Sequence, residues 1–282
     1  MRNNDFAIFI LTHHRADRVY TYKALKRTNY SGKIYIIIDD TDPEIEKYKE
    51  NFGKDNVIIF NKKEIAKEFD VMDNFDDYRA VVYARNASFG IAKDLGIKYF
   101  MLLDDDYSGF WYRYDKDLNF ISKKIKNLNG VLDLMLDYYK STNIKSIAMA
   151  QSGDFIGGDN GFYKSPTRLR KCMNSFICST ERPFKFIGRI NEDVNTFVNN
   201  AKFGDLFLTI PFITIDQKET QSNAGGLTEI YLNLGTYVKS FYTVMISPSS
   251  VTVAPMGSKH KRIHHKVSGK NTYPKIINEK YK

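Results

Sequence analysis

Apolar residues in this chain collect into short unbroken runs separated by helix-spaced patterns. Phe6 to Leu11, Ile34 to Ile38, Val57 to Phe60 and Tyr99 to Leu103 contain no polar interruption except tyrosine. Such runs are too short to cross a bilayer and too continuous for half-exposed strands, so they predict buried strands of a parallel sheet. Asp17 reads as a cap for a helix carrying Val19, Tyr22 and Leu25 on one face, and Asp42-Pro43 opens a second helix that runs to Asn51. Phe75 to Gly96 reads as a longer helix whose apolar character Arg85 and Asn86 break. Gly109 to Tyr114 and Leu118 to Ile121 form an expected aromatic hairpin, followed by an amphipathic helix from Asn127 to Tyr139 and a strand from Ile144 to Ala150. Beyond the glycine-rich stretch Gln151 to Gly161, the pattern predicts strands at Leu169 to Ser179 and Leu206 to Ile210. It predicts helices opening at Asn191 and spanning Leu227 to Phe241, and short strands at Thr243 to Ile246 and Val251 to Ala254. Strands alternating with helices make the expected class α/β, a central and mostly parallel sheet flanked by helices.

The chemistry lies where the apolar runs stop. The run from Tyr99 ends on Asp104, Asp105 and Asp106, at the carboxyl edge where open α/β sheets bind ligands. Alternate side chains of an extended turn point the same way, so Asp104 and Asp106 can converge on one divalent cation while Asp105 faces elsewhere; the competing reading is a solvated acidic turn. The first strand ends in Thr12-His13-His14-Arg15, offering a hydroxyl for a base or ribose and a guanidinium for phosphate. Asp39 and Asp40 end the second strand, and a carboxylate there can accept from a ribose hydroxyl or a base N–H. Arg85, inside a buried helix, needs an anion beside it. Glu192 and Asp193 open a helix, where the dipole stabilises an ionised carboxylate suited to general-base work.

Composition narrows the field. With 43% hydrophobic and 14% aromatic residues, the 282-residue chain belongs with globular proteins. It has no apolar run of about eighteen residues and no signal-type start, so a soluble cytoplasmic protein is expected. Its two cysteines, Cys172 and Cys178, read as reduced thiols. The formal charge is +9, and from Lys259 onward eight basic residues stand against one acid. A polyanionic partner is one reading of that excess and a solvated basic tail is the other.

In their order along the chain, the Thr12 to Arg18 stretch, Ala84-Arg-Asn86, Leu102-Leu-Asp-Asp-Asp106 and Asn191-Glu-Asp193 resemble the GT-A glycosyltransferases. Within these they look most like the TET-associated glycosyltransferases, phage enzymes held to put sugars on hydroxymethylated DNA bases. The resemblance implies one GT-A domain over residues 1–258, with a nucleotide-sugar half (1–121) and an acceptor half (122–258), and a basic tail at 259–282. It implies that Asp104 and Asp106 hold Mn2+ or Mg2+ against the diphosphate of a nucleotide-sugar, a UDP-sugar first among them, with His264 or His265 completing the coordination. Thr12, Arg15, Asp39, Arg85 and Asn86 would surround the nucleoside. Three consecutive aspartates leave the ligand pair open, so Asp105 stands with Asp104 among the nucleotide-sugar contacts. Asp193 would be the base, with Glu192 in reserve. Arg168, Arg170, Lys171, Lys261 and Arg262 would grip DNA, and Trp111, Tyr112 or Phe155 would stack on an extruded base. The cellular site implied is the cytoplasm of an infected bacterium. A glycan acceptor and a silent DNA-binding relative are the rival expectations; a nucleotidyltransferase would need a glycine-rich phosphate loop after the first strand, which this chain lacks.

Overall fold

The computed structural model describes residues 3–72, 78–155, 158, 170–217, 228–256, 262–276 and 279. The first half runs β1 (Phe6–Leu11), α1 (Tyr20–Arg27), β2 (Lys33–Asp39), α2 (Ile45–Phe52), β3 (Val57–Phe60), α3 (Lys62–Ala66), α4 (Val82–Asp94) and β4 (Tyr99–Asp104). The second runs β5 (Tyr107–Tyr114), β6 (Phe120–Lys124), α5 (Leu128–Ser141), β7 (Ser146–Gln151), β8 (Phe176–Ser179), α6 (Glu192–Ala201), β9 (Phe207–Gln217), α7 (Thr228–Ile246), β10 (Val251–Met256), β11 (Arg262–Val267) and α8 (Gly269–Thr272).

Among the described residues, nine strands form one sheet in the order β3-β2-β1-β4-β8-β7-β9-β5-β6. The strands β3, β2, β1 and β4 are parallel, β8 runs against β4, and the remainder is mixed. Unbroken apolar strands require cover on both faces, and the alternation of β1 and β4 supplies it. Phe6, Ile8, Ile10, Met101 and Leu103 join a core with Leu25, Tyr48 and Leu132 from α1, α2 and α5. Ala7, Phe9, Phe100 and Leu102 join a second core with Val82, Ala87, Val194 and Phe197 from α4 and α6. Register then sets the site: Leu11 aligns with Ile37 on one side and Asp104 on the other. The loop after β1, the end of β2 and the Asp104–Asp106 turn therefore share one edge.

Several elements differ from the pattern-based expectation. Helix α1 starts at Tyr20, with no side-chain cap bond at Val19, and Asp17 instead pairs with Lys47 on the surface. Of the long strand expected from Leu169 to Ser179, only Phe176–Ser179 pairs among the described residues. Thr243 to Ile246 is not a strand; it forms the last turn of α7, where Ser240 and Thr243, three residues apart on one helix face, are both buried. Part of the segment set apart as a basic tail is folded, since β11 pairs antiparallel with β10 from Val251↔Val267 to Met256↔Arg262. At the start of α6, Asn191 takes a left-handed φ of 55° and its Nδ2 donates to the Lys239 carbonyl at 2.6 Å and to Thr243 Oγ1 at 3.1 Å. Asparagine tolerates that conformation better than most residues, and these bonds fix where Glu192 and Asp193 emerge.

Candidate active site

Each aspartate of the triplet has a different set of partners. Asp105 is buried. Its Oδ2 accepts from Thr12 Oγ1 at 2.6 Å and its Oδ1 from Arg15 Nη1 at 2.9 Å. The Tyr48 hydroxyl accepts from the Arg15 N–H at 2.8 Å and lies 3.1 Å from Thr12 Oγ1. Thr12 and Asp105, expected at the nucleoside, are joined to each other and to the loop after β1, and Arg15 is the member of the group that retains solvent exposure, at 22% of its side chain.

Asp104 takes the Arg85 guanidinium, Nη2 to Oδ1 at 3.0 Å, with the Tyr107 hydroxyl 3.3 Å from Oδ2. Burial raises its pKa most; Arg85 opposes that, and the neighbouring Asp106, Asp105 and Asp193 push it further, to about 7. Both oxygens of Asp106 accept from Gln217 Nε2, at 3.2 and 3.0 Å, and burial also raises Asp106. Carboxylates outnumber cations here, which is the donor set a hard divalent cation takes; Asp104 and Asp106 fit one. No group of three His, Cys, Asp or Glu able to hold a metal ion is present among the described residues, so neither His264 nor His265 joins the aspartates in this structure.

The turn is clamped by a residue whose role the hydrophobic pattern does not reveal. Thr21, fully buried near the start of α1, donates its hydroxyl to the Asp104 carbonyl and accepts from the Tyr107 N–H at 3.0 Å, and its own N–H donates to the Asp105 carbonyl at 3.1 Å. Thr21→Val keeps the shape but leaves a buried carbonyl and N–H unpaired. The expected loss is about 1–3 kcal/mol of stability, measured as a lower denaturant midpoint with unchanged slope.

At the end of β2, Asp39 meets four donors: the Thr41 N–H at 3.0 Å, the Thr41 hydroxyl, His13 Nδ1 at 2.9 Å and Lys62 Nζ at 2.8 Å. Burial favours its neutral form, but the bonds from His13, Lys62 and Thr41 prevail and hold the carboxyl well below the usual range. Of the two partners that reach it from other elements, Lys62 is buried and His13 is exposed, at 45% of its side chain.

Arg85 joins the two acidic groups. It is 1% exposed, and its Nε donates to Glu192 Oε1 at 3.0 Å while Nη2 reaches Asp104. The rings of Phe176 and Phe186 lie 5.3 and 5.6 Å from its guanidinium carbon. Glu192 is pushed upward, by burial first and by Asp193 and Asp104, against Arg85. Asp193, also buried, accepts from the Val194 N–H at 2.7 Å. Lys171 Nζ lies 3.2 Å from His265 Nε2; burial and Arg170 lower Lys171 to about 8, against the pull of Asp193 and Asp154. His265 is 4% exposed and its Nδ1 has no hydrogen-bond partner among the described residues.

Other expected contacts lie elsewhere. Asn86 does not face the site: its Nδ2 donates to the Phe186 carbonyl at 2.9 Å and its Oδ1 accepts from the Phe186 N–H at 2.8 Å, a backbone clamp that buries the whole amide. Arg85, expected at the nucleoside, contacts the carboxylates of Asp104 and Glu192. Arg170 donates through Nε to the buried Asp154 at 2.7 Å, so its charge is already matched within the protein. Phe155 packs against Tyr114 and Phe120 in a small core. Trp111 is partly exposed, with Lys124 Nζ 5.6 Å and the Arg113 guanidinium 6.0 Å from its ring. Arg168 and Lys261 lie outside the described residues, as do the side chain of Arg262 and residues 156, 157 and 159–161 of the glycine-rich stretch. Gln217, Tyr107, Tyr48 and Thr21 went unnoticed in the sequence because no local pattern marks them.

A sheet whose parallel strands end in an anionic edge, facing a helix that begins with two more carboxylates, is the α/β architecture expected of a GT-A glycosyltransferase. A profile of the TET-associated glycosyltransferase family matches residues 6–226, and the chain belongs to that family. No curated protein matches it. Among solved structures, it is similar to glucosyl-3-phosphoglycerate synthase from Mycobacterium tuberculosis in complex with Mn2+ and UDP-glucose, with a TM-score of 0.48 and 9% identity over 95% of this chain and 86% of that one. The same enzyme with Mn2+, UDP and phosphoglyceric acid gives a TM-score of 0.46 and 10% identity over 93% and 87%. Among the described residues, no helix is long and apolar enough to cross a membrane.

Proposed function

We propose that this glycosyltransferase is metal-dependent and inverting, and moves a sugar from a nucleotide-sugar, a UDP-sugar first among the candidates, to the hydroxyl of a hydroxymethylated pyrimidine such as 5-hydroxymethylcytosine in phage DNA, within the cytoplasm of an infected bacterium. The observation that carries the proposal is the convergence of Asp104 and Glu192 on Arg85, which sets a donor-side acidic turn directly against an acceptor-side acidic helix. Family membership supports sugar transfer. The family's name, the net charge of +9 and the Trp111 ring between Lys124 and Arg113 support a nucleic-acid acceptor.

Asp104 and Asp106 would hold Mn2+ or Mg2+, which when bound would supply positive charge against the departing diphosphate. Arg15, anchored by Asp105, presents a guanidinium on the same edge. His13 and Asp39 line its nucleoside end. Asp193 accepts the proton of the acceptor hydroxyl on a carboxylate oxygen as the new bond to the anomeric carbon forms. Glu192 is tied to Arg85 and positions that guanidinium, leaving the base role to its neighbour. An acceptor base within a duplex must be extruded at a cost of a few kcal/mol, and a ring such as Trp111 offers a stacking surface.

The test is incubation with Mn2+, a panel of nucleotide-sugars and DNA containing hydroxymethylcytosine, followed by digestion and mass analysis of the nucleosides. The expected result is a hexose-sized gain that Asp106→Ala abolishes. Transfer to oligosaccharides alone would overturn the DNA acceptor, and tight DNA binding without turnover would overturn catalysis.

A further inference from the structure

Gln217 is the last residue of β9 and stands opposite Tyr107 in the register of β5 and β9, which places its amide beside Asp106. Its Nε2 lies 3.0 and 3.2 Å from the two Asp106 oxygens. Neighbouring ligand atoms on an octahedral Mg2+ or Mn2+ stand about 3.0 Å apart, given cation–oxygen distances of roughly 2.1 Å. The end of the Gln217 amide therefore stands at the spacing from Asp106 that an adjacent ligand would take, with nitrogen facing the carboxylate.

An amide can be turned over without changing its shape, and its neighbours decide which end faces which way. Without a cation the N–H end is favoured, because it donates to Asp106. With a cation on Asp106 that end is repelled and the hard carbonyl oxygen is attracted. The other end of Gln217 permits the exchange: Oε1 accepts from Asn174 Nδ2 at 3.4 Å, and Asn174, an amide too, can reverse in step to accept from Gln217. The Asn174 carbonyl meanwhile takes the Tyr107 hydroxyl at 3.0 Å and Arg85 Nη1 at 3.4 Å, so the backbone that carries this amide is tied to the residues that hold Asp104.

We propose that Gln217 turns its amide when the cation binds and supplies Oε1 as a neutral oxygen ligand beside Asp106. The inference rests on the cation site of the proposed function. It differs from the expectation of a histidine ligand, because the structure sets His265 Nε2 against the Lys171 ammonium.

The experiment is Mn2+ titration of the full chain by calorimetry, with free Mn2+ counted by electron paramagnetic resonance, for wild type, Gln217→Leu, Gln217→Glu and Asp106→Ala. Thermal melting in metal-free buffer establishes that each variant is folded. Gln217→Leu is expected to weaken Mn2+ binding by about 10-fold or more, whereas Gln217→Glu, which keeps an oxygen and adds charge, is expected to bind at least as tightly as wild type. Weakened binding in Gln217→Glu would show that the side chain serves only as an N–H donor to Asp106 and would overturn the proposal. So would wild-type affinity in Gln217→Leu together with lost affinity in Asp106→Ala. Equal binding by wild type and Asp106→Ala, or none by wild type, would remove the cation site itself and the Gln217 role with it. On wild type, the side-chain amide resonance absent from Gln217→Leu is expected to shift on adding Mg2+, and a resonance that does not move would also overturn the amide reversal.

Discussion

Asp193→Asn is expected to lower turnover by about 10²–10⁴-fold, the range general-base catalysis contributes, while the protein remains folded. The substituted amide keeps the size of the side chain, and its oxygen can still accept from the Val194 N–H as Asp193 Oδ1 does at 2.7 Å. What it loses is the ability to take a proton. Donor and acceptor affinities are expected to stay near those of the parent, because the donor edge is built from β1, β2 and β4 and Asp193 belongs to α6. Steady-state kinetics with each substrate varied in turn makes the check. A rate unchanged in Asp193→Asn but lost in Glu192→Gln would move the base to Glu192, whose upward-shifted pKa would then be read as tuning for that role.

Arg85→Met is expected to produce the largest loss of stability. The guanidinium is 1% exposed and compensates two carboxylates at 3.0 Å each; removing one partner of a buried ion pair leaves charge uncompensated and costs about 3–5 kcal/mol. Methionine keeps much of the packing against Phe176 and Phe186, so the loss measures charge more than volume. Adding Glu192→Gln to Arg85→Met should recover part of it, since one of the orphaned anions disappears. Denaturant melts of the single and double variants provide the cycle, and strict additivity would show that the pairing carries no energy.

The hydrophobic pattern located the parallel half of the sheet because its information is local. An unbroken apolar run such as Phe6 to Leu11 has few other fates in a chain of this composition, and the same argument placed β2, β3 and β4 almost to the residue. It was weakest where burial, not periodicity, decides the outcome. Thr243 to Ile246 resembles a strand in isolation yet completes α7, and Arg262–Val267, set aside for its charge, pairs with β10. Asp17 carries the chemistry of a cap, but the backbone turns three residues later and the carboxylate meets Lys47.

Within the candidate site, the residue types and the edge they occupy were legible because carboxylates directly after buried strands have few places to go. The division of labour among them was not. Asp105 and Asp104 are neighbours in sequence, yet one serves the loop after β1 through Thr12 and Arg15, and the other serves α4 through Arg85. Asn86 follows Arg85 on the same helix but points at the Phe186 backbone, because a helix sends successive side chains about 100° apart.

The order and character of the residues alone therefore determined an α/β chain with acids at its strand ends and a family resemblance that the profile match bears out. Tertiary structure alone decided which side chain answers which: Arg85 to Glu192 across 107 positions, Gln217 to Asp106 across 111, Thr21 to the Asp104 carbonyl across 83. The physical reason is one of range. Strand and helix preferences are set by neighbours within a few residues, whereas a buried charge takes the nearest group able to satisfy it, and only the packed sheet establishes which group that is.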